Sequence, residues 1–283
     1  MAGSRLAGSV AIVTGGGRGL GRVFAARLAS EGAAVGLVAR SAEQLNEVAH
    51  SLSANKVATA VADVTDEVAL RQAIGEIEQA LGATDLLVNN AGVLGEPGFA
   101  WDSDPDAWWR AMEINVRGVF LGCRIVIPAM IARGGGRIVN ITSNAGIHRW
   151  PTMSAYSVSK AAVVKFSENL AVECKSTGVR VWGLHPGLTA IGLTDEPHYR
   201  QAEAGSIAGN IRAWVEAEFE AGRGVDPSAG ADLLVRVAAG DADSLSGCHL
   251  TVHDDLDALV ANAETIRRND FQTLRIKQLD PTL

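Results

Sequence analysis

"SVAIVTGGGRGLG", Ser9 to Gly21, sets a short, continuous apolar run directly before a cluster of glycines. An apolar run without polar alternation predicts a strand buried on both faces, as in a parallel sheet covered by helices. The following "TGGGRGLG", Thr14 to Gly21, predicts a tight loop that opens a helix. Glycines there let the backbone turn sharply and approach a pyrophosphate, whose charge meets the helix N-terminus. A glycine cluster alone says little in a chain with 31 glycines. Its place between a strand and a helix gives it meaning.

The same alternation continues outward from this point. "AAVGLVAR", "KVATAVAD", "TDLLVNNAG", "GRIVNITS", "GVRVWGLHPG" and "SGCHLTV" read as further strands. Helical patterns lie between them at Gly21 to Glu31, Ala42 to Ala54, Asp66 to Leu81, Pro105 to Ala132, Ser154 to Thr177 and Pro227 to Ala239. Alternating β and α elements of these lengths predict a single doubly wound α/β domain with a mainly parallel sheet flanked by helices. No linker, solenoid repeat or low-complexity segment divides it. The domain is expected over residues 1–253, with a helical lid insertion over about 188–224 and a C-terminal tail at 254–283.

Composition narrows the function. The chain has 283 residues, 47% hydrophobic and 20% charged, an ordinary globular balance. A net charge of −7 with no basic run argues against nucleic acid and anionic membrane as partners. Cys123, Cys174 and Cys248 are far apart and odd in number, which suits a reducing compartment and suggests neither a disulfide framework nor a metal site. The N-terminus does not read as a signal peptide, and no segment reaches the roughly 18 apolar residues of a membrane span. A soluble, cytoplasmic protein is expected.

"SAYSVSK", Ser154 to Lys160, puts Tyr156 and Lys160 four residues apart, on one helix face. An ammonium beside a phenol favours its anion and brings its pKa toward the range of a working proton donor. An incidental helix-surface pair is the plainer alternative. At the end of the second strand, "GLVARS" lacks the acidic residue that commonly holds the ribose 2′-hydroxyl of NAD. Arg40 stands there instead, with Arg18 in the glycine loop, and two guanidinium groups suit a 2′-phosphate. Asp63 either accepts from an adenine amino group or helps cap the helix beginning near Asp66.

With these pieces in place the sequence resembles the short-chain dehydrogenase/reductase family over about its first 250 residues. Thr14, Gly15, Gly19 and Gly21 match its glycine motif. Asn89, Asn90, Ala91 and Gly92 match its N-N-A-G, and Pro186 and Gly187 the P-G after the sixth strand. Ser143, Tyr156, Lys160 and the helical Asn115 fall on its catalytic set. The resemblance implies a Rossmann-type fold and an NAD(P)-dependent ketoreductase or alcohol dehydrogenase, with NADP(H) preferred and NAD(H) possible. In it, Tyr156 would donate or accept the proton, and Lys160 would lower its pKa and hold the nicotinamide ribose. Ser143 would fix the substrate oxygen, and Asn115 would organise a water linking the lysine to solvent. The cofactor would lie along Gly15, Gly17, Arg18, Gly19, Leu20 and Gly21, then Arg40, Asp63 and Val64, then Asn90, Ala91 and Gly92, ending near Pro186, Gly187 and Thr189.

Departures from the family pattern bear on the substrate end. Trp182 stands where many members have asparagine, His185 precedes the P-G, and Ile191 occupies a slot often held by threonine, leaving Thr189 and Thr194 as candidates for the carboxamide contact. The last strand runs into "HDDLDAL" instead of a Gly-Gly pair. Ala145, His148, Trp150, Met153 and Leu188 are expected to line the substrate pocket beside Ser143, with Trp214 closing over it from the lid. Such a pocket fits a fairly bulky, apolar or aromatic carbonyl compound or alcohol. Trp101, Trp108 and Trp109 read as core or oligomer contacts. Two other functions stay open: a non-catalytic nucleotide sensor, and an enzyme acting on an imine, an enone or an isomerisation. Family members mostly pair through the helices holding Asn115 and Tyr156, so a homodimer or homotetramer is expected.

Overall fold

A computed structural model describes residues 4–52, 56–195 and 197–276. In chain order the elements are β1 (Val10–Thr14), α1 (Gly19–Ser30), β2 (Ala34–Ala39), α2 (Ala42–Ser51), β3 (Val57–Val61), α3 (Glu67–Leu81), β4 (Leu86–Asn89), α4 (Pro105–Met112) and α5 (Gly118–Ala132). There follow β5 (Gly136–Ile141), α6 (Ser154–Glu173), β6 (Val179–His185), α7 (Pro197–Arg200), α8 (Ile207–Glu220), α9 (Pro227–Ala238), β7 (His249–Thr251), α10 (Leu256–Ala261) and α11 (Ala263–Arg268). The seven strands form one sheet in the order β3-β2-β1-β4-β5-β6-β7, and every neighbouring pair is parallel. The apolar runs account for this: all five residues of β1 and all four of β4 are buried, so neither face of the central strands meets water.

Each face of the sheet has its own core. Phe24 and Leu28 of α1, Leu45 and Val48 of α2, and Leu234 and Val237 of α9 cover one side. Leu70, Ile74 and Ile77 of α3, Val119, Val126 and Met130 of α5, and Val163 and Leu170 of α6 cover the other. Each such side chain contributes roughly 1.5–3 kcal/mol by leaving water. Helix starts follow side-chain chemistry. Ser41 caps α2, Asp66 caps α3, and Asp104 followed by Pro105 starts α4. Helix α2 was expected to reach Ala54; it ends at Ser51, and residues 53–55 lie outside the described ones.

Three expectations change. Pro105 to Ala132 is α4 and α5 joined through a π-helical turn, Glu113–Arg117. By length and composition this run is apolar enough to cross a membrane, contrary to the reading that no segment is. Its inner face is spent on the core. Trp101 and Trp109 are not core residues: they are 80% and 59% exposed, with Trp101 stacked on Phe99. Trp108 is half-buried and ties α4 to the start of α6, its indole N–H donating to Ser154 Oγ at 3.0 Å.

The tail is built into the same molecule. Leu256, Ala263 and Ile266 enter the core beside α9. Beyond α11 the chain runs back along the sheet edge, where the His249 amide donates to the Gln272 carbonyl at 2.7 Å. That bond covers the otherwise open side of β7.

Candidate active site

The order of strands reverses between β1 and β4, and at such a switch point the loops after the strands part to leave a crevice. Here it is a cavity of about 1300 Å³ running along the carboxyl ends of the sheet.

One end is the glycine loop. Gly15, Gly17, Arg18, Gly19, Leu20 and Gly21 all face the cavity. Gly15 and Gly19 have φ of +64° and +52°, the left-handed region that side chains disfavour. The first turn of α1 carries no side-chain cap, so its amides are open toward the cavity. Asn90 stitches the neighbouring loop to this one, donating from Nδ2 to the Thr14 carbonyl at 2.9 Å. Thr14 Oγ1 in turn accepts from the amides of Asn90 and Ala91, both at 3.1 Å. Ala91 and Gly92 line the cavity beyond them. Open amides at a helix N-terminus in a glycine cradle fit a dinucleotide pyrophosphate.

At the mouth of β2 the exposed Arg18 and Arg40 both line the wall, with Ser41 and Gln44 beside them. Asp63 and Val64 line the cavity as well. The Asp63 carboxylate is already engaged: Oδ1 accepts from the amide and hydroxyl of Thr65 at 2.9 and 2.7 Å, and Oδ2 pairs with Arg110 at 2.9 Å. Asp66 caps α3 on its own, so Asp63 is not the cap that was one of its two expected roles.

The polar group at the other end comes from three elements. Ser143 follows β5 and starts a short 3-10 turn, Asn144–Gly146, by accepting from the Ala145 amide at 3.2 Å. That turn lies flat against α6, because a Cβ on Gly146 would come within 2.6 Å of the Ala161 amide. The contact brings the Ser143 hydroxyl close enough to the Tyr156 phenol to act on its titration. One turn along α6, the Lys160 ammonium stands over the Tyr156 ring, 5.6 Å from its centroid, and donates to the Ile141 carbonyl at 2.8 Å. Ser143, Tyr156 and Lys160 all line the cavity.

Two residues of the set carry details that the sequence does not specify. Asn115 does not line the cavity: it is fully buried in the π-helical turn. Its Oδ1 accepts from the Val93 amide at 2.9 Å, and its Nδ2 donates to the Val93 carbonyl at 2.8 Å and to Ser159 Oγ at 2.9 Å. Its side-chain amide thus locks the loop after β4 to α6. In the protein by itself the Tyr156 pKa is raised. Burial pushes the phenol up to about 12 against the opposing pull of the Ser143 hydrogen bond, and pushes Lys160 down to about 8. Desolvation is the leading cause of both shifts.

Pro186, Gly187 and Thr189 continue the wall from β6. Thr189 is buried and donates to the Ile191 carbonyl at 3.3 Å; the side chain of Thr194 lies outside the described residues. Around the mouth stand Ala145, His148, Trp150, Leu188 and Trp214. The Trp150 ring meets Tyr156 edge-on at 5.8 Å and Trp214 of α8 at 5.6 Å, so α8 rests on the tryptophan beside the phenol. Met153 is not a lining residue. It sits behind the wall, 1% exposed, packed with Leu94, Tyr156, Tyr199 and Ile211, because α7 and α8 come down over it.

Several lining residues were not foreseen: His185, Leu193, His253, Arg149 and the Arg223–Glu218 ion pair. His185, singled out only as a departure from the family pattern, is 9% exposed and has an unpartnered Nδ1. Burial first, then the neighbouring His249, His253, Lys160 and His148, push it down to about 3. It is a neutral imidazole at ordinary pH.

A buried phenol beside a half-buried serine hydroxyl at one end of a long groove, and a phosphate cradle at the other, can hold a dinucleotide and a second molecule end to end. Known proteins agree with that geometry. The family described as short chain dehydrogenase matches residues 9–201. A 2-(R)-hydroxypropyl-CoM dehydrogenase of Xanthobacter autotrophicus is 40% identical over 200 residues, 68% of this chain and 80% of that one. Levodione reductase superposes with a TM-score of 0.78 at 29% identity, covering 87% of this chain and 96% of that one. A gluconate 5-dehydrogenase from Burkholderia cenocepacia J2315, in complex with NADP and tartrate, gives 0.77 at 31% identity over 90% and 98% of the two chains. With a family match across two thirds of its length on a seven-stranded parallel sheet, this chain belongs to the short chain dehydrogenase family and is an NAD(P)-dependent oxidoreductase acting on alcohols or ketones.

Proposed function

We propose that the protein is an NADP(H)-dependent ketoreductase or alcohol dehydrogenase for fairly bulky, apolar or aromatic small molecules, with Tyr156 as the general acid and base. The observation that carries this reading is the buried Tyr156 phenol with the half-buried Ser143 hydroxyl and Lys160 beside it, at the end of a groove that begins at the glycine loop.

The glycine loop and the open amides of α1 would hold the pyrophosphate of NADP(H), and Arg18 and Arg40 its 2′-phosphate. Bound there, the nicotinamide supplies or accepts the hydride. Ser143 holds the substrate oxygen by a hydrogen bond and Tyr156 delivers the proton to it, or removes it in the oxidative direction. Lys160 places a positive charge under that exchange, which steadies the phenolate whenever the proton has left. Trp150 and Trp214 exclude water and offer flat apolar walls, which supports an aromatic or bulky substrate.

The reading extends to the whole protein. Residues 1–253 are the catalytic domain, 188–224 its lid and 254–283 an extension, and the active form is a homodimer or homotetramer in the cytoplasm, where three buried thiols stay reduced. The test is titration with NADPH and NADH, then turnover on a panel of aromatic and aliphatic ketones. Expected are tighter binding of NADPH, a preference lost in Arg40→Asp, and ketone-dependent NADPH oxidation. Tyr156→Phe should lower turnover by at least ~10²-fold while leaving NADPH affinity unchanged. Cofactor binding without turnover on any carbonyl would favour a sensor, and preference for NADH would reduce the two arginines to surface charge.

A further inference from the structure

We propose that His249, on the outermost strand, is a positioning residue that holds the catalytic serine segment from behind. The proposal rests on the reading of Ser143 as the residue that fixes the substrate oxygen.

His249 does not line the cavity, and it reaches the serine only through the two residues on either side of it. Its Nδ1 lies 3.0 Å from Thr142 Oγ1 and its Nε2 3.4 Å from Asn144 Oδ1. The ring is 5% exposed, and burial pushes it down to about 4, with Asp254 pulling upward and His148 adding to the fall. A neutral imidazole has one acceptor and one donor. The Thr142 hydroxyl donates to Nδ1 and the Nε2–H donates to the side-chain Oδ1 of Asn144, so both ring nitrogens are satisfied at once.

This contact crosses an intervening strand. Thr142 continues β5 and His249 opens β7, with β6 between them. In the register, Gly183 of β6 pairs with His249 on one side and Asn140 on the other. A Cβ at Gly183 would lie 3.0 Å from Thr142 Cγ2 and 3.5 Å from His249 Nδ1. The glycine leaves the window through which the ring reaches. Both ends are anchored by backbone: the Thr142 amide donates to the Leu184 carbonyl at 2.9 Å, and the His249 amide to Gln272 at 2.7 Å. A tail residue, an edge strand and a glycine thus together hold the turn that presents Ser143. An aliphatic side chain would pack at this site equally well; it would not bind residues 142 and 144 together.

The experiment uses the full-length enzyme, NADPH and a ketone from the panel above. His249→Leu is expected to lower kcat at least ~10-fold with the NADPH dissociation constant unchanged, and His249→Gln to recover most of the loss. Thr142→Val, which keeps the shape and removes the hydroxyl, should fall in the same direction, and it decides the matter if His249→Leu does not fold. In a Ser143→Ala background neither substitution should cost anything further, because the brace acts only through that serine. A lowered Tm with kcat held within about 2-fold in both variants would make His249 a packing residue and overturn the proposal. If Ser143→Ala itself leaves kcat unchanged, the serine assignment falls and takes the brace with it. A loss in His249→Leu that simply adds to that of Ser143→Ala rejects the brace alone.

Discussion

Three basic side chains, Lys160, His185 and His249, sit in or just behind the cavity wall with little water around them. Desolvation leads each shift: the ammonium falls to about 8 and the imidazoles to about 3 and about 4. The two kinds of group act in different pH windows. An unfolded imidazole takes a proton below about 6.5, whereas these two resist it, so the stability they confer is complete above 6.5 and is lost as pH falls toward 4. Each contributes a slope of up to about 1.4 kcal/mol per pH unit in that window. Lys160 works at the alkaline end: the unfolded chain keeps its proton up to about 10.4 and the folded chain releases it near 8, so its burial weighs against folding at neutral pH and is relieved as pH rises between these values. Paired carboxylates such as Glu168 and Asp241 have lowered pKa values, so their losses come in more strongly acid solution. Thermal unfolding followed from pH 7 to pH 4.5 should therefore show a falling Tm, and His249→Gln should fall less steeply. Superimposable slopes would mean that the imidazole is hydrated and not buried.

At the scale of elements, the loop between β1 and α1 has the narrowest tolerance. A Cβ at Gly21 would stand 2.1 Å from the Gly15 carbonyl oxygen and 2.7 Å from Asn90 Nδ2, so Gly21→Ala must push the loop away from the β4 side. NADPH affinity is expected to fall at least ~10-fold, with a lower Tm. Gly75, inside α3 with open space around its Cβ position, is the control, and Gly75→Ala should raise stability by roughly 0.5–1 kcal/mol and leave affinity alone. Equal behaviour of the two variants would deny the loop its special packing. The contrast also shows what the sequence can disclose. Apolar runs before glycines reveal strand, loop and helix because those signals are local, and Tyr156 and Lys160 reveal themselves because a helix fixes what four residues apart means. Met153, three residues from Tyr156, reads as a pocket residue until α7 and α8 are seen to cover it. The tie from His249 to Thr142 depends on the register of three strands and on a glycine in the middle one, so nothing near either residue announces it. Asn115 was legible as a member of the set, whereas its work inside a π-helical turn was not, since the turn arises from how two helices meet.

At the scale of the whole molecule, the layer formed by α5 and α6 is unusual in what it leaves outside. Phe120, Ile131, Val158 and Val172 are 46%, 42%, 47% and 69% exposed, and Phe120 meets Phe166 edge-on at 6.2 Å across the two helices. A net charge of −7 keeps copies apart through the polar surface, so this apolar stripe is where two copies would meet. The stripe also lies on the back of the site: α6 carries Tyr156 and Lys160, and the turn before α5 carries Asn115. Pairing through it would restrain both helices at once. Light scattering should then give a mass of two or four times 29.5 kDa, little changed by salt because the contact is apolar. Phe120→Asp buries a carboxylate in that contact and should return the protein to 29.5 kDa, with kcat reduced and the fold intact by circular dichroism. A monomer of undiminished activity in the parent protein would show that α5 and α6 hold the catalytic groups in place without help from a second copy.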